Sequence, residues 1–201
     1  MAVTGLLLCG FLVAHVSGNY LLLSGRDAFN AYAEDLKSFG VLFYVAEVGL
    51  LELFGLHIVL AIVVTRENRR ARPVPYVVYR SRGTRTFSSN KMFLSGVLIL
   101  VFLLIHLWTF RFADLSGTTL YDVVMTHFQN IGYVAYYVFF SCVVAVHVAH
   151  GFQSAFKSLG LEHAKYTPWI RVVGLLFAWG VALSYSFLPI WACFLSDFSK
   201  S

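Results

Sequence analysis

Charged residues are scarce in this chain, and their scarcity excludes a water-soluble globular domain. Asp, Glu, Lys and Arg make up 12% of its 201 residues, whereas hydrophobic residues make up 59%. Soluble domains carry about 25% charged residues. The chain therefore has too little polar surface to face water on all sides, and we expect much of that surface to face lipid.

Cysteine is also scarce, which excludes several redox sites. Cys9, Cys142 and Cys193 all lie in apolar segments, where we interpret them as packing residues. No C-x-x-C-H sequence is present, so covalent c-type haem attachment is excluded. The chain also lacks the cysteine set of an iron–sulfur cluster and the glycine fingerprint of a dinucleotide site.

The net charge of +5 does not predict nucleic-acid binding, because the basic residues are concentrated in one place. Eight of the 15 Lys and Arg residues fall between positions 66 and 91. They are Arg66, Arg69, Arg70, Arg72, Arg80, Arg82, Arg85 and Lys91. A basic cluster between apolar runs is typical of a cytoplasmic connector between membrane spans. No other nucleic-acid-binding feature accompanies it.

Five apolar runs exceed the roughly 18 residues that a transmembrane helix needs. The predicted spans are 2–24, 39–65, 92–112, 130–156 and 169–195. Connector 25–38 has mixed charge and is predicted to form a short surface helix, while connector 113–129 is mildly acidic.

The connectors also predict the orientation. The basic connectors 66–91 and 157–168 predict the cytoplasmic side, which places the N-terminus inside and the C-terminus outside. We predict an all-α membrane protein, an up-down bundle of five helices forming one domain over 1–201. Its expected location is a bacterial-type cytoplasmic membrane, with lipid around it.

Four histidines lie deep in four different predicted spans, where polar groups are costly and usually functional. At 1.5 Å per residue, His57 and His147 lie ~12–15 Å from the cytoplasmic edge, and His15 and His106 lie ~21–22 Å from it. The sequence thus predicts an inner and an outer pair of histidines, separated by ~8–10 Å in depth.

Two facing histidines at one depth suit the axial ligation of a haem iron inside a helical bundle. One small metal ion cannot collect four ligands spread over ~8–10 Å of depth. Small residues follow three of the histidines by about one turn, where a porphyrin would need room. They are Gly18, Ala61 and Gly151.

These histidines and the stretches around them resemble the single-subunit, di-haem cytochrome b anchor of succinate:quinone oxidoreductases, the succinate dehydrogenases and fumarate reductases. The matching stretches are 1–19, 57–62, 106–114 and 147–160, so that the resemblance covers nearly the whole chain. It implies two b haems, the inner held by His57 and His147 and the outer by His15 and His106. His150 is then a neighbour of a ligand, although it also competes with His147 for that role.

The resemblance further implies partners, because succinate chemistry cannot lie in this chain. We expect a flavoprotein carrying FAD, an iron–sulfur subunit docked on connectors 66–91 and 157–168, and a membrane quinone, with menaquinone favoured over ubiquinone. The chain would be the electron-transferring and quinone-binding subunit. Some fumarate-reducing members carry a glutamate two residues before the fourth-span histidine. Ala145 stands there, so that proton route is not supported.

Three charged residues are further site candidates. Glu47 and Glu52 are the acidic residues within the spans, and we consider them for proton transfer, with a neutral hydrogen-bonded carboxyl as the alternative. Lys157 is considered for a haem propionate or for anchoring its helix at the headgroups. Two other functions stay open: a di-haem anchor of a different quinone-linked dehydrogenase, and a haem-free transporter or proton channel.

Overall fold

The computed structural model describes residues 1–71 and 92–196. Within these ranges the chain forms seven α-helices and no strand. Their bounds are α1 Ala2–Asn19, α2 Arg26–Ser38, α3 Val41–Arg70, α4 Met92–His106, α5 Leu120–Phe128, α6 Ile131–Ser158 and α7 Thr167–Phe194. A 3₁₀ turn, Tyr20–Ser24, extends α1, and a π-helical turn, Leu107–Arg111, extends α4.

Five of these helices are long and apolar enough to cross a membrane, as the sequence predicts. Counting the two extensions, they cover Ala2–Ser24, Val41–Arg70, Met92–Arg111, Ile131–Ser158 and Thr167–Phe194. Large apolar side chains point outward, and none of the 30 residues of α3 is buried. Such a surface suits lipid as the surrounding medium.

The long helices alternate in direction. At one end of the bundle, the Arg69 guanidinium lies 5.7 Å from the centre of the Phe93 ring. We call this the basic end, because α3 finishes there with Arg69 and Arg70. At the opposite end, Arg111 after α4 forms an ion pair with Glu47 in the second turn of α3. These two contacts make α3 and α4 antiparallel neighbours.

Four helices surround a central axis, and α7 packs outside them. Among the described residues, α1 packs against α3 and α6, and α4 packs against α6. The contacts between α3 and α4 noted above complete the ring. Consequently α1 lies across the ring from α4, and α3 lies across from α6. The most extensive helix–helix contact is between α6 and α7, where Gly174 leaves room for the Phe152 ring.

The two short helices lie together at the end opposite the basic end. The α2 helix, predicted from the mixed-charge connector, is confirmed, whereas α5 is an addition to the prediction. Arg26 of α2 pairs with Asp122 of α5 at 2.6 Å. The Tyr121 backbone N–H donates to the Asn30 side chain at 3.1 Å. Phe29, Met125 and Phe128 form a buried apolar cluster beneath them.

Candidate functional site

The structure brings the four histidines of the long apolar helices together as two pairs. The rings of His15 on α1 and His106 on α4 have their centres 5.8 Å apart and their planes at 88°. His57 on α3 lies beside Thr4 near the start of α1, and His147 on α6 lies beside Ser95 near the start of α4, so both stand at the same level of the ring. His147 is within electrostatic range of His57 and also of His150, one turn further along α6. Each pair joins helices that lie across the ring from each other. The pairing matches the one expected from depth.

Hydroxyl groups hold the two histidines of the inner pair. Thr4 Oγ1 lies 3.0 Å from His57 Nδ1, and Ser95 Oγ lies 3.0 Å from His147 Nδ1. Each contact links neighbouring helices, α1 to α3 and α4 to α6. Because Nδ1 is occupied on both rings, Nε2 is the nitrogen left to bind a metal.

The outer pair is surrounded by aromatic side chains. His106 Nδ1 lies 3.1 Å from the Tyr137 hydroxyl, and the Phe102 ring stacks on His106 with centres 5.7 Å apart. The Phe11 ring stacks on His15 in the same way, with centres 5.3 Å apart. The π-helical turn begins directly after His106. Such turns are frequent at functional sites.

The two layers lie further apart than the sequence predicts. Thr4 marks the inner level on α1 and Ser95 marks it on α4, because these residues contact His57 and His147. His15 and His106 each follow eleven residues later on the same helix (15 − 4 and 106 − 95). Eleven residues rise ~16 Å, in place of the predicted ~8–10 Å.

The spacing of the outer pair would allow two imidazoles to bind one iron between them. Among the described residues, no group of three or more His, Cys, Asp or Glu side chains is placed to hold a metal ion. A porphyrin supplies the other ligands of its iron, so a haem needs only two imidazoles. Metal–imidazole bonds of about 2 Å put two opposed ring centres about 6 Å apart, close to the 5.8 Å between His15 and His106.

The two glutamates occupy different settings. Glu47 accepts two hydrogen bonds from Arg111, at 2.6 Å from Nε and 2.8 Å from Nη2. Glu52 is exposed and lines an open groove on the outer face of α3, beside Tyr44 and Val48. Five residues separate Glu52 from His57, which puts it ~7.5 Å from the inner level, roughly midway between the layers.

Of the candidates near the basic end, His150 adjoins the inner pair, whereas Lys157 lies further along α6. Lys157, in the last turn of α6, forms an exposed ion pair with Glu162 at 2.9 Å. His150 is half-buried one turn after His147, on the same helix. The predicted docking connector 66–91 lies outside the described residues from position 72 onward.

Sequence reasoning missed the groups that support the histidines: Thr4, Ser95 and Tyr137. It also missed Gly5 and Gly96, where an added Cβ would lie 3.5 Å from Cε1 of His57 and of His147, respectively. The sequence does carry a signal for the two aliphatic hydroxyls: Thr4 and Ser95 each precede a glycine and stand eleven positions before a histidine.

The glycines expected to make room for porphyrin have other neighbours. A Cβ on Gly18 would meet the Tyr32 hydroxyl at 2.6 Å, so Gly18 seats α2 against α1. A Cβ on Gly151 would lie 3.4 Å from Met92 Cε. In the structure, both glycines therefore serve the packing of helices.

No family model, curated protein or solved structure matches the chain.

Proposed function

We propose that this chain is the cytochrome b membrane anchor of a succinate dehydrogenase or fumarate reductase complex, carrying electrons between an iron–sulfur subunit and membrane quinone through two b haems. The observation that carries the proposal is the pairing of four intramembrane imidazoles across a four-helix ring. His57 and His147 form the inner pair, and His15 and His106 form the outer pair. Haem supplies one-electron chemistry; the chain supplies ligands, spacing and enclosure.

The chain's own residues would orient the ligands and separate the two sites. The Thr4 and Ser95 hydroxyls fix the inner rings, and the Tyr137 hydroxyl contacts the outer ring of His106. The ~16 Å between layers spans about half of a hydrocarbon core ~30 Å thick. Two sites at this spacing would divide the passage of an electron across the membrane into steps.

Partners remain necessary for the proposed reaction. The flavoprotein with its FAD and the iron–sulfur subunit would dock at the basic end, on the inner side of the His57 and His147 layer. The supporting observation is charge, because Arg66, Arg69 and Arg70 gather at the end of α3. A quinone, with menaquinone favoured, would exchange electrons with one of the two layers.

The test is the haem content of the purified complex. We expect a reduced-minus-oxidised pyridine haemochrome spectrum of two b haems per chain, with a flavoprotein and an iron–sulfur protein copurifying. Haem with other partners would favour an anchor of a different quinone-linked dehydrogenase. A colourless, folded preparation would refute the haem proposal and favour the transporter or proton-channel alternative.

A further inference from the structure

We propose that Thr4 and Ser95 are positioning residues for the inner pair: their hydroxyl oxygens accept a hydrogen bond from Nδ1–H of His57 and His147, and so direct each Nε2 lone pair at the inner metal position. This inference rests on the proposed function, because it concerns ligands of the inner haem. It assigns a role to two residues outside the ligand set.

The direction of the hydrogen bonds follows from counting protons. A hydroxyl has one proton to donate and can also accept. Thr4 Oγ1 donates to the Met1 carbonyl oxygen at 2.8 Å, and Ser95 Oγ donates to the Met92 carbonyl oxygen at 2.9 Å. A carbonyl can only accept, so each hydroxyl proton is already used. The imidazole must then be the donor, which places its proton on Nδ1 and its lone pair on Nε2.

Burial protects these two hydrogen bonds from competition by water. Thr4 and Ser95 are each only 6% exposed, so bulk water does not compete for the Nδ1–H groups. An acceptor behind a metal-bound imidazole fixes the ring orientation and raises the basicity of the ligand. Ser141, 7% exposed, provides the contrast: its hydroxyl bonds the Tyr137 carbonyl oxygen at 2.8 Å and makes no histidine contact among the described residues.

The same arrangement occurs twice, on equivalent helices. Residues 4–15 read TGLLLCGFLVAH and residues 95–106 read SGVLILVFLLIH. Both fit the pattern [ST]-G-x5-F-x3-H, in which the hydroxyl supports the inner pair, the glycine lets its ring approach, and the phenylalanine stacks on the outer histidine. Thus α1 and α4 each serve both layers, which argues against a chance contact at either hydroxyl.

The experiment compares the variants Thr4→Val and Ser95→Ala in the purified complex, with Thr4→Ser as the conservative variant and Ser141→Ala as the burial-matched control. We measure haem per chain, the midpoint potential of each haem, and the electron paramagnetic resonance spectrum of the oxidised state. In both test variants we expect the inner haem to bind about 10- to 100-fold more weakly. Its midpoint potential should rise, because a less basic ligand stabilises ferric iron less.

In the two test variants, the outer haem should keep its wild-type occupancy, midpoint potential and spectrum. In Thr4→Ser and Ser141→Ala, both haems should keep wild-type values. An inner haem with unchanged occupancy, potential and spectrum in both test variants would overturn the inference while leaving the proposed function intact. A wild-type complex without haem would instead refute the proposed function. If neither variant accumulates, nuclear magnetic resonance of the reduced wild-type complex provides the test. The Nδ1–H protons of His57 and His147 should exchange slowly with solvent. Rapid exchange of both protons would overturn the inference.

Discussion

Removing one histidine from each layer should remove one haem at a time. We expect His57→Ala to lose the inner haem and keep the outer one, and His106→Ala to do the reverse. The reason is the spacing: Thr4 to His15 and Ser95 to His106 each cover eleven residues, or ~16 Å of helix. No side chain spans that distance, so a histidine of one layer cannot replace a lost ligand in the other.

The same spacing limits how strongly the two sites influence each other. Two unit charges ~16 Å apart interact by about 1 kcal/mol at an effective dielectric constant of 20. The reduction equilibrium of the remaining haem should therefore move by about fivefold or less. Loss of an axial ligand has a far larger effect on its own haem, so the two responses separate clearly.

The assay combines haem stoichiometry with a redox titration of each purified variant. The control is His163→Ala. His163 is exposed in the connector after α6, outside both layers, and its Nδ1 accepts a hydrogen bond from the Lys165 backbone N–H at 3.1 Å. One haem per chain is the expected value for each ligand variant. Simultaneous loss of both haems from His57→Ala and from His106→Ala, with normal folding, would refute two independent layers and indicate a single shared site.

Two further predictions concern packing and the outer layer. Gly174→Ala should destabilise the chain by about 1–3 kcal/mol through overpacking, since its Cβ would lie 2.8 Å from Phe152 Cδ1; detergent unfolding should show no such loss for Gly180→Ala, which has open space. Tyr137→Phe removes the 3.1 Å contact with His106 Nδ1 and should weaken the outer haem about 10-fold or more. Haem retention on dilution measures this, and an equal weakening of the inner haem would contradict the assignment.

The sequence predicts the spans closely because their signal is local. A long apolar run between charged segments has one stable solution in lipid, a helix whose backbone bonds are satisfied internally. The predicted spans 92–112 and 130–156 accordingly differ by at most two residues at either end from Met92–Arg111 and Ile131–Ser158. The surface helix α5 was missed because Thr119, which caps its first turn, lies in a connector without a long apolar run.

The separation between the layers could not be predicted in the same way. Depth can be counted along the sequence only if the apolar runs share a common edge at the basic end. In the structure α3 and α6 extend past the first turns of α1 and α4, so that Thr4 faces His57, thirteen residues before the end of α3 at Arg70 (70 − 57). The register between two helices depends on contacts such as Thr4 with His57, and composition does not reveal it.

The crossed arrangement of the pairs has a consequence for assembly. Each layer takes one histidine from the first two long helices, α1 and α3, and one from the third and fourth, α4 and α6. Neither half supplies both histidines of a pair, so capture of the proposed haems would wait until both halves have been inserted and have met. In lipid, where apolar surfaces gain little by associating, a group bound across the ring would act as a reversible cross-link. Cofactor supply would then set how much of the chain reaches its folded form.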